Sequence, residues 1–206
     1  MKILLVAEVS IAQVIGGAER VLREQALGLA SRGHAVRVLT RAGTQDRESR
    51  VVVEGVEETR YAVDRRTAMS FFISSARNAR RTCALLTRES RPDVLLVHQA
   101  LPGLAVSGCL PGVPSVYTCL SLAHEEFDTR NRMPAGVGGE MWHRCQSLAR
   151  RKIEQRMLNR AQRVIVLSDF MRRRIADCHR VVAERMLLIP AGVDTRIFSP
   201  IPDYRS

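Results

Sequence analysis

Two adjacent glycines, Gly16 and Gly17, stand between a short apolar run at residues 3–7 and an amphipathic segment at residues 17–31. A helix that begins at such a pair presents backbone N–H groups to the preceding loop, where they bind phosphate or sugar oxygens. Glycine has no Cβ, so a ligand can approach this backbone closely. The pair therefore predicts an anion or sugar site, and the plainer alternative is a tight turn.

Other patterns that carry chemistry are missing from the sequence. The dinucleotide-binding pattern G-x-G-x-x-G is absent, which disfavours a nicotinamide-dependent oxidoreductase. The 5 cysteines are widely spaced and never form a C-x-x-C pair, so they indicate neither a disulfide framework nor a zinc site. Because the sequence also lacks a nucleophile elbow, a P-loop and a metal motif, a different doubly wound enzyme complete within this chain is the least favoured interpretation.

The elements that must position the glycines follow from hydrophobic periodicity. Short apolar runs alternate with longer amphipathic segments, a pattern typical of an α/β fold in which a Rossmann-like parallel sheet carries helices on both faces. The predicted strands are residues 3–7, 36–40, 51–54, 59–63, 93–97, 115–118, 163–167 and 186–189. The predicted helices are residues 17–31, 67–90, 101–110, 140–160 and a segment from the N-cap Ser168 to Cys178, with a charged loop at residues 121–139.

Length and charge bound the remaining possibilities. A chain of 206 residues with 46% apolar content suits one generous domain, which we expect at residues 1–192, followed by a linker at 193–206. No apolar run approaches the roughly 20 residues of a membrane span, and no signal peptide is apparent, so we expect a cytoplasmic protein. The formal charge of +11, almost wholly from arginine, indicates an anionic partner or surface, or merely arginine-decorated helices.

Six segments, in order along the chain, resemble one known family. They are residues 16–20 (GGAER), 27–36 (LGLASRGHAV), 91–98 (RPDVLLVH), 112–114 (GVP), 161–170 (AQRVIVLSDF) and 189–194 (IPAGVD). Together they are similar to the N-terminal domain of family-4 glycosyltransferases of the two-domain GT-B type. The resemblance implies that this chain is one half of a GT-B fold and binds the acceptor, whereas a C-terminal domain beyond Ser206 binds the nucleotide-sugar.

The resemblance also implies a mechanism. Such enzymes transfer a sugar from a nucleotide-sugar to a glycan or lipid-linked acceptor with retention of anomeric configuration, and this half alone would be inactive. Gly16 and Gly17 would face the donor diphosphate and sugar across the cleft. Amide donors and basic side chains, with no cofactor and no metal, would meet the charge of the leaving diphosphate.

Histidine placement departs from the family in one respect. The strand before the cleft usually ends in T-x-H-D, but here Leu120 follows Thr118 and Cys119. His124, four positions on, could reach the cleft from the loop, and His98 at a strand end fits the family pattern; both are candidate catalytic residues, although each also suits a structural role. Three loop acids are candidate acceptor ligands: Glu125, Glu126 and Asp128. Turns or helix surfaces are expected for three histidines with no role: His34, His143 and His179.

The long helix at residues 140–160 combines Trp142 with several arginines, which suits either a solvated basic face or peripheral contact with an anionic membrane at its inner face. The alternative function is a stand-alone basic module that binds nucleic acid or another polyanion. Aromatic residues make up only 4% of the chain and form no stacking platform with basic residues, so nucleic acid is not an expected partner.

Overall fold

The computed structural model describes residues 1–43, 48–131, 136–181, 183–193 and 195. Among them, eight strands form one sheet in the order β3-β4-β2-β1-β5-β6-β7-β8. The strands are Lys2–Val6 (β1), Ala35–Arg41 (β2), Ser49–Val53 (β3), Val56–Tyr61 (β4), Val94–Val97 (β5), Ser115–Cys119 (β6), Arg163–Val166 (β7) and Met186–Leu188 (β8). Every neighbouring pair is parallel except the β3–β4 hairpin, so the predicted α/β class is confirmed.

Six α-helices connect these strands in the described part of the chain. They are Gly17–Ser31 (α1), Ala68–Glu89 (α2), Ala100–Ser107 (α3), Ala123–Arg130 (α4), Val137–Arg160 (α5) and Asp169–Cys178 (α6). The predicted loop at residues 121–139 is wrong in its first half, because α4 occupies it; residues 132–135 lie outside the described chain. The long helix α5 begins three residues earlier than the predicted start.

Local signals explain where several elements begin and turn. The Thr67 hydroxyl accepts a hydrogen bond from the Ser70 N–H at 3.0 Å, and the Ser168 hydroxyl accepts one from the Met171 N–H at 3.1 Å, so both cap the helices that follow them. Gly55 has a φ of +84°, a conformation open to glycine, and turns the chain between β3 and β4 as predicted.

The core occupies both faces of the sheet. Alternate residues of β1 point to opposite sides, so Ile3 and Leu5 pack with α1, whereas Leu4 and Val6 pack with the helices of the other face. This second layer is the larger, and it combines buried residues of α2, α3, α5 and α6. The double covering accounts for the continuous apolar runs of the central strands.

The eight strands form a single sheet, and all of them lie within the domain expected at residues 1–192. The linker expected at 193–206 lies almost wholly outside the described residues, which include only Val193 and Thr195 of it. Among the helices in the described chain, none is both long enough and apolar enough to cross a membrane.

Candidate functional site

A pocket of about 620 Å³ opens at the carboxyl ends of the central strands. Strand order reverses at β1, which pairs with β2 on one side and β5 on the other. The connections that follow the two central strands leave the carboxyl edge of the sheet in opposite directions at such a reversal of strand order. Open α/β sheets bind ligands in the crevice between these two connections. The lining comes from the loops after β1, β5 and β6, the end of β2, and the helices α1, α2, α3, α4 and α5.

The predicted glycines lie on this pocket at the beginning of α1. Gly16 is the N-cap of the helix, and its N–H donates to Glu19 Oε2 at 3.1 Å. A Cβ added at Gly17 would meet no described atom within 4 Å, so the fold itself leaves room for a side chain there. The helix begins at the pocket wall, which gives an anionic or hydroxyl-bearing ligand access to the positive end of the helix dipole.

His98 follows β5 and also lines the pocket. Its residue is only 3% exposed, and burial lowers the pKa of the imidazole from 6.5 to about 4, so the ring is neutral at physiological pH. Nε2 lies 2.9 Å from Gln25 Oε1, whereas Nδ1 has no hydrogen-bond partner among the described residues. With the Gln25 amide in this orientation, Nε2 carries the proton and Nδ1 is left as an acceptor for a ligand hydroxyl.

A carboxylate and a guanidinium form an ion pair at the pocket wall. Arg41 Nη1, at the end of β2, lies 2.9 Å from Glu8 Oε2, and the Glu8 N–H donates to Gln99 Oε1 at 2.7 Å. Burial raises the pKa of Glu8 above its ordinary value, and the charges of Arg41 and Arg150 oppose the rise. The pair therefore places both an acceptor and a donor group at the pocket.

Aromatic rings hold two of the three arginines that line the pocket, Arg41 and Arg150, in place. The Arg41 guanidinium lies 5.1 Å from the centre of the Phe71 ring. Arg150 on α5 lies between Phe72, at 5.0 Å, and Phe127, at 3.8 Å. Stacking of this kind fixes the plane of a guanidinium and leaves its N–H groups to bind oxyanions. The sequence does not predict this group, because its members come from four separate elements and no local spacing relates them.

Of the three predicted acidic ligands, only Glu126 lies on the pocket, where it accepts a hydrogen bond from Ser121 Oγ at 2.9 Å. Glu125 pairs instead with Arg174 at 2.6 Å. Asp128 lies 3.1 Å from Nε2 of His143, a residue that is buried rather than on a helix surface as expected. Leu120, at the position where the resemblance predicts histidine, is part of the pocket lining.

His124 lies away from the described lining of the pocket and is not in a loop. It belongs to α4 and is buried, with Nδ1 3.4 Å from Glu154 Oε2. His179 joins the same carboxylate oxygen through Nε2 at 3.1 Å, so the expectation of a surface histidine is wrong there. Burial acts to raise the pKa of Glu154, but hydrogen bonds from both histidines outweigh burial and lower it. Because residues 123–130 form a helix, the side chain of His124 lies in the interior.

Comparison with known proteins gives one family match. The sequence profile of Glycosyltransferase Family 4 matches residues 15–197 of this chain. A sequence search among curated proteins finds no match.

Solved structures share the fold at low sequence identity. Sucrose-phosphate synthase from Thermosynechococcus elongatus superposes with a TM-score of 0.67 at 16% identity, over 97% of this chain and 50% of that one. WaaG, a glycosyltransferase involved in lipopolysaccharide biosynthesis, gives 0.58 at 18% identity over 94% and 46%. HepE of Anabaena, solved with UDP and glucose, gives 0.62 at 15% identity over 98% and 47%. This chain spans about half the length of each.

Proposed function

This chain belongs to glycosyltransferase family 4 and has the fold of one GT-B domain, and we propose from that premise that it is the acceptor-side domain of a sugar-transferring enzyme. The donor would be a nucleotide-sugar and the acceptor a glycan or a lipid-linked glycan. The observation that carries the proposal is the pocket at the sheet switch point, because Gly16, Gly17 and His98 meet there. Nothing in the structure or the relatives favours a polyanion-binding module.

The donor side of the proposal rests on the beginning of α1. Gly16 and Gly17 offer a wall without side chains beside the helix N-terminus, which suits a diphosphate or a sugar ring. The solved complex of HepE with UDP and glucose is consistent with a donor of this class. We carry over retention of anomeric configuration from the family, with charge on the leaving diphosphate stabilised by amides and basic side chains.

The acceptor side rests on the polar and aromatic groups of the pocket. His98 Nδ1 is an unpaired acceptor for a sugar hydroxyl. Glu126 pairs with Arg130 at 2.7 Å, and because both side chains line the pocket, this ion pair is a second polar group for the acceptor. Arg150, held between two phenylalanines, suits an acceptor that carries a phosphate or carboxylate. Glu125, Asp128 and His124 are engaged with protein groups, so we assign them no direct contact with the acceptor.

A second domain completes the proposed enzyme. The matching solved chains are about twice as long as this one, so this chain corresponds to one half of each. The pocket is open to solvent, and a nucleotide-sugar-binding domain placed over it would close it. We propose that this domain alone does not transfer sugar, because it supplies only one wall of such a cleft.

Membrane contact is a further part of the proposal. At the beginning of α5, Val137, Met141 and Trp142 are exposed, and Trp142 is 51% accessible. Arg144 follows within the next turn. Exposed apolar residues beside basic ones suit peripheral binding to an anionic bilayer surface, where a lipid-linked acceptor would reside.

The test is a glycine substitution in the natural gene product that contains this chain. Gly17→Val adds a side chain where the fold has room but a bound donor would lie. We expect sugar transfer, assayed with a panel of nucleotide-sugars, to fall by about 100-fold, as for other misplaced reacting groups. Gly138→Val is the matched control, because Gly138 also lies in the first turn of a helix with no described atom near its added Cβ.

The possible outcomes distinguish a wrong role for Gly17 from a wrong proposed function. Normal transfer by Gly17→Val, with the control also normal, would remove Gly17 from the donor site. No transfer from any nucleotide-sugar by the unaltered gene product would reject the proposed function itself.

A further inference from the structure

Three side chains with metal-binding atoms converge in the interior behind the pocket. His124 comes from α4, Glu154 from α5, and His179 directly follows α6. Their ligating atoms lie within 4.8 Å of one another, and all three residues are buried. The sequence does not predict this cluster, because Glu154 lies 30 positions after His124 and His179 lies 25 positions after Glu154.

The hydrogen bonds around His179 determine which ring nitrogen carries a proton. The Arg180 N–H donates to Gln155 Oε1 at 3.0 Å, and Gln155 Nε2 donates to the Arg180 carbonyl at 3.2 Å, so the orientation of this amide is defined by the backbone. His179 Nδ1, 3.3 Å from Gln155 Oε1, must then be a donor. In a neutral ring, Nε2 therefore has a lone pair directed at Glu154.

The orientation of the Glu154 carboxylate is also defined by a backbone hydrogen bond. The Ala123 N–H donates to Glu154 Oε1 at 3.0 Å, which leaves Oε2 facing both imidazoles. A carboxylate oxygen and an imidazole lone pair repel each other at 3.1 Å, so either a proton on Nε2 or a metal cation must lie between them. An imidazole whose other nitrogen donates to a carbonyl-type oxygen is the usual form of a metal-ligating histidine.

The separations between the ligating atoms match those between neighbouring ligands of a tetrahedral zinc ion. Zinc bonds to nitrogen and oxygen at about 2.0–2.1 Å, so neighbouring ligands of a tetrahedral ion are about 3.3 Å apart. Glu154 Oε2 lies 3.1 Å from His179 Nε2 and 3.4 Å from His124 Nδ1. We propose that His124, Glu154 and His179 bind a zinc-class divalent cation, with water as the fourth ligand.

The chemistry of the donor set selects the class of ion. Two imidazoles and one carboxylate suit zinc and its first-row neighbours, whereas magnesium and calcium prefer oxygen ligands. A second possible set, formed by His124, Glu125 and Cys178, is less suitable. Glu125 is already engaged by the Arg174 guanidinium at 2.6 Å, and this positive charge would oppose a cation there.

The ion would add a shared ligand set to three elements that are already linked by hydrogen bonds, from Ala123 to Glu154 and between Gln155 and Arg180. One of them, α4, presents Glu126, Phe127 and Arg130 to the pocket, whereas its His124 is buried and does not belong to the pocket lining. Binding of the ion would therefore stiffen one wall of the pocket. The proposal adds a structural ion where the sequence predicts none, and it does not depend on the sugar-transfer function.

The experiment is a titration of the tag-free, chelator-treated chain with zinc chloride at neutral pH, followed by calorimetry and by thermal unfolding. We expect one ion per chain and a rise in the unfolding temperature, since an ion that binds only the native state stabilises it. Glu154→Gln and His179→Gln should each weaken binding by at least about 100-fold, because even residues that only support a metal ligand contribute 10–100-fold. His143→Gln, another buried histidine paired with a carboxylate, is the matched control and should bind as the unaltered chain does.

Cobalt substitution keeps the test decisive if a variant fails to fold. The unaltered chain with Co²⁺ should show the visible absorption of a tetrahedral site without a thiolate charge-transfer band. A thiolate band would place the ion on Cys178 and overturn the proposal. It would be overturned equally by the absence of stoichiometric binding, or by undiminished affinity in folded Glu154→Gln and His179→Gln.

Discussion

Replacement of His98 by glutamine should remove a specific part of the pH dependence of folding. The imidazole is 3% exposed, and burial lowers its pKa from 6.5 to about 4. In the unfolded chain the same ring is in water and takes up a proton near pH 6.5. Between these two values the unfolded state binds a proton that the native state does not, so acidification favours unfolding.

The size of the effect follows from the two pKa values. Stability from the neutral ring is fully present above pH 6.5, falls as pH drops from 6.5 to about 4, and changes no further below that. At pH 5 the loss is about 2 kcal/mol, since each unit of pKa difference is worth about 1.4 kcal/mol. For a chain of this size, that corresponds to a shift in melting temperature of about 4–8 °C.

The assay is urea unfolding of the unaltered chain and of His98→Gln at pH 7.5, 6.0 and 5.0. Other groups titrate in both proteins, so the informative quantity is the difference between them. We expect the stability gap between the two proteins to change by about 2 kcal/mol from pH 7.5 to 5.0, with His98→Gln the less sensitive to acid. Parallel losses of stability would refute the claim that His98 is held neutral in the fold.

Two further predictions concern packing and the membrane. Gly103→Ala should destabilise the fold by about 1–3 kcal/mol in urea unfolding, because the added Cβ would lie 2.1 Å from Val97 Cγ1. The control, Gly138→Ala, adds a Cβ with no described atom within 4 Å and should be neutral or stabilising by up to about 1 kcal/mol. Equal effects of the two substitutions would contradict the packing described. The chain should float with anionic liposomes at low salt and lose binding on Trp142→Ser. Phe170→Ser, which removes a more exposed aromatic on α6, should leave binding intact, and flotation independent of Trp142 would place the contact elsewhere.

The fold was predictable wherever burial imposes a period on the sequence. The helix at residues 17–31 has the bounds predicted for it, and the hairpin turns at Gly55 as expected. Strands buried on both faces appear as uninterrupted apolar runs, so residues 3–7 and 163–167 were located to within a residue. The resemblance to family 4, drawn from short motifs in these same elements, is confirmed.

The pocket was predictable only in part. Gly16 and His98 follow the ends of buried strands, and the carboxyl ends of parallel strands share one edge, so sequence alone could place them together. Arg150 and Glu154, by contrast, lie four residues apart on α5, one at the pocket and one in the interior. A charged residue on an amphipathic helix is expected to face solvent, and only tertiary packing shows that these two do not.

Helix α4 shows why the region around the pocket was harder to predict than the core. Ala123, Glu126, Phe127 and Arg130 line the pocket, and their spacing of three, four and seven residues is that of one helical stripe. Two of these four residues, Glu126 and Arg130, are charged, and the residue that α4 buries away from the pocket lining is a histidine rather than an aliphatic residue. Hydrophobic periodicity detects a helix by the apolar face it turns to the core. A helix placed between a ligand pocket and a buried polar cluster has no such face, and for that reason its sequence resembles a charged loop.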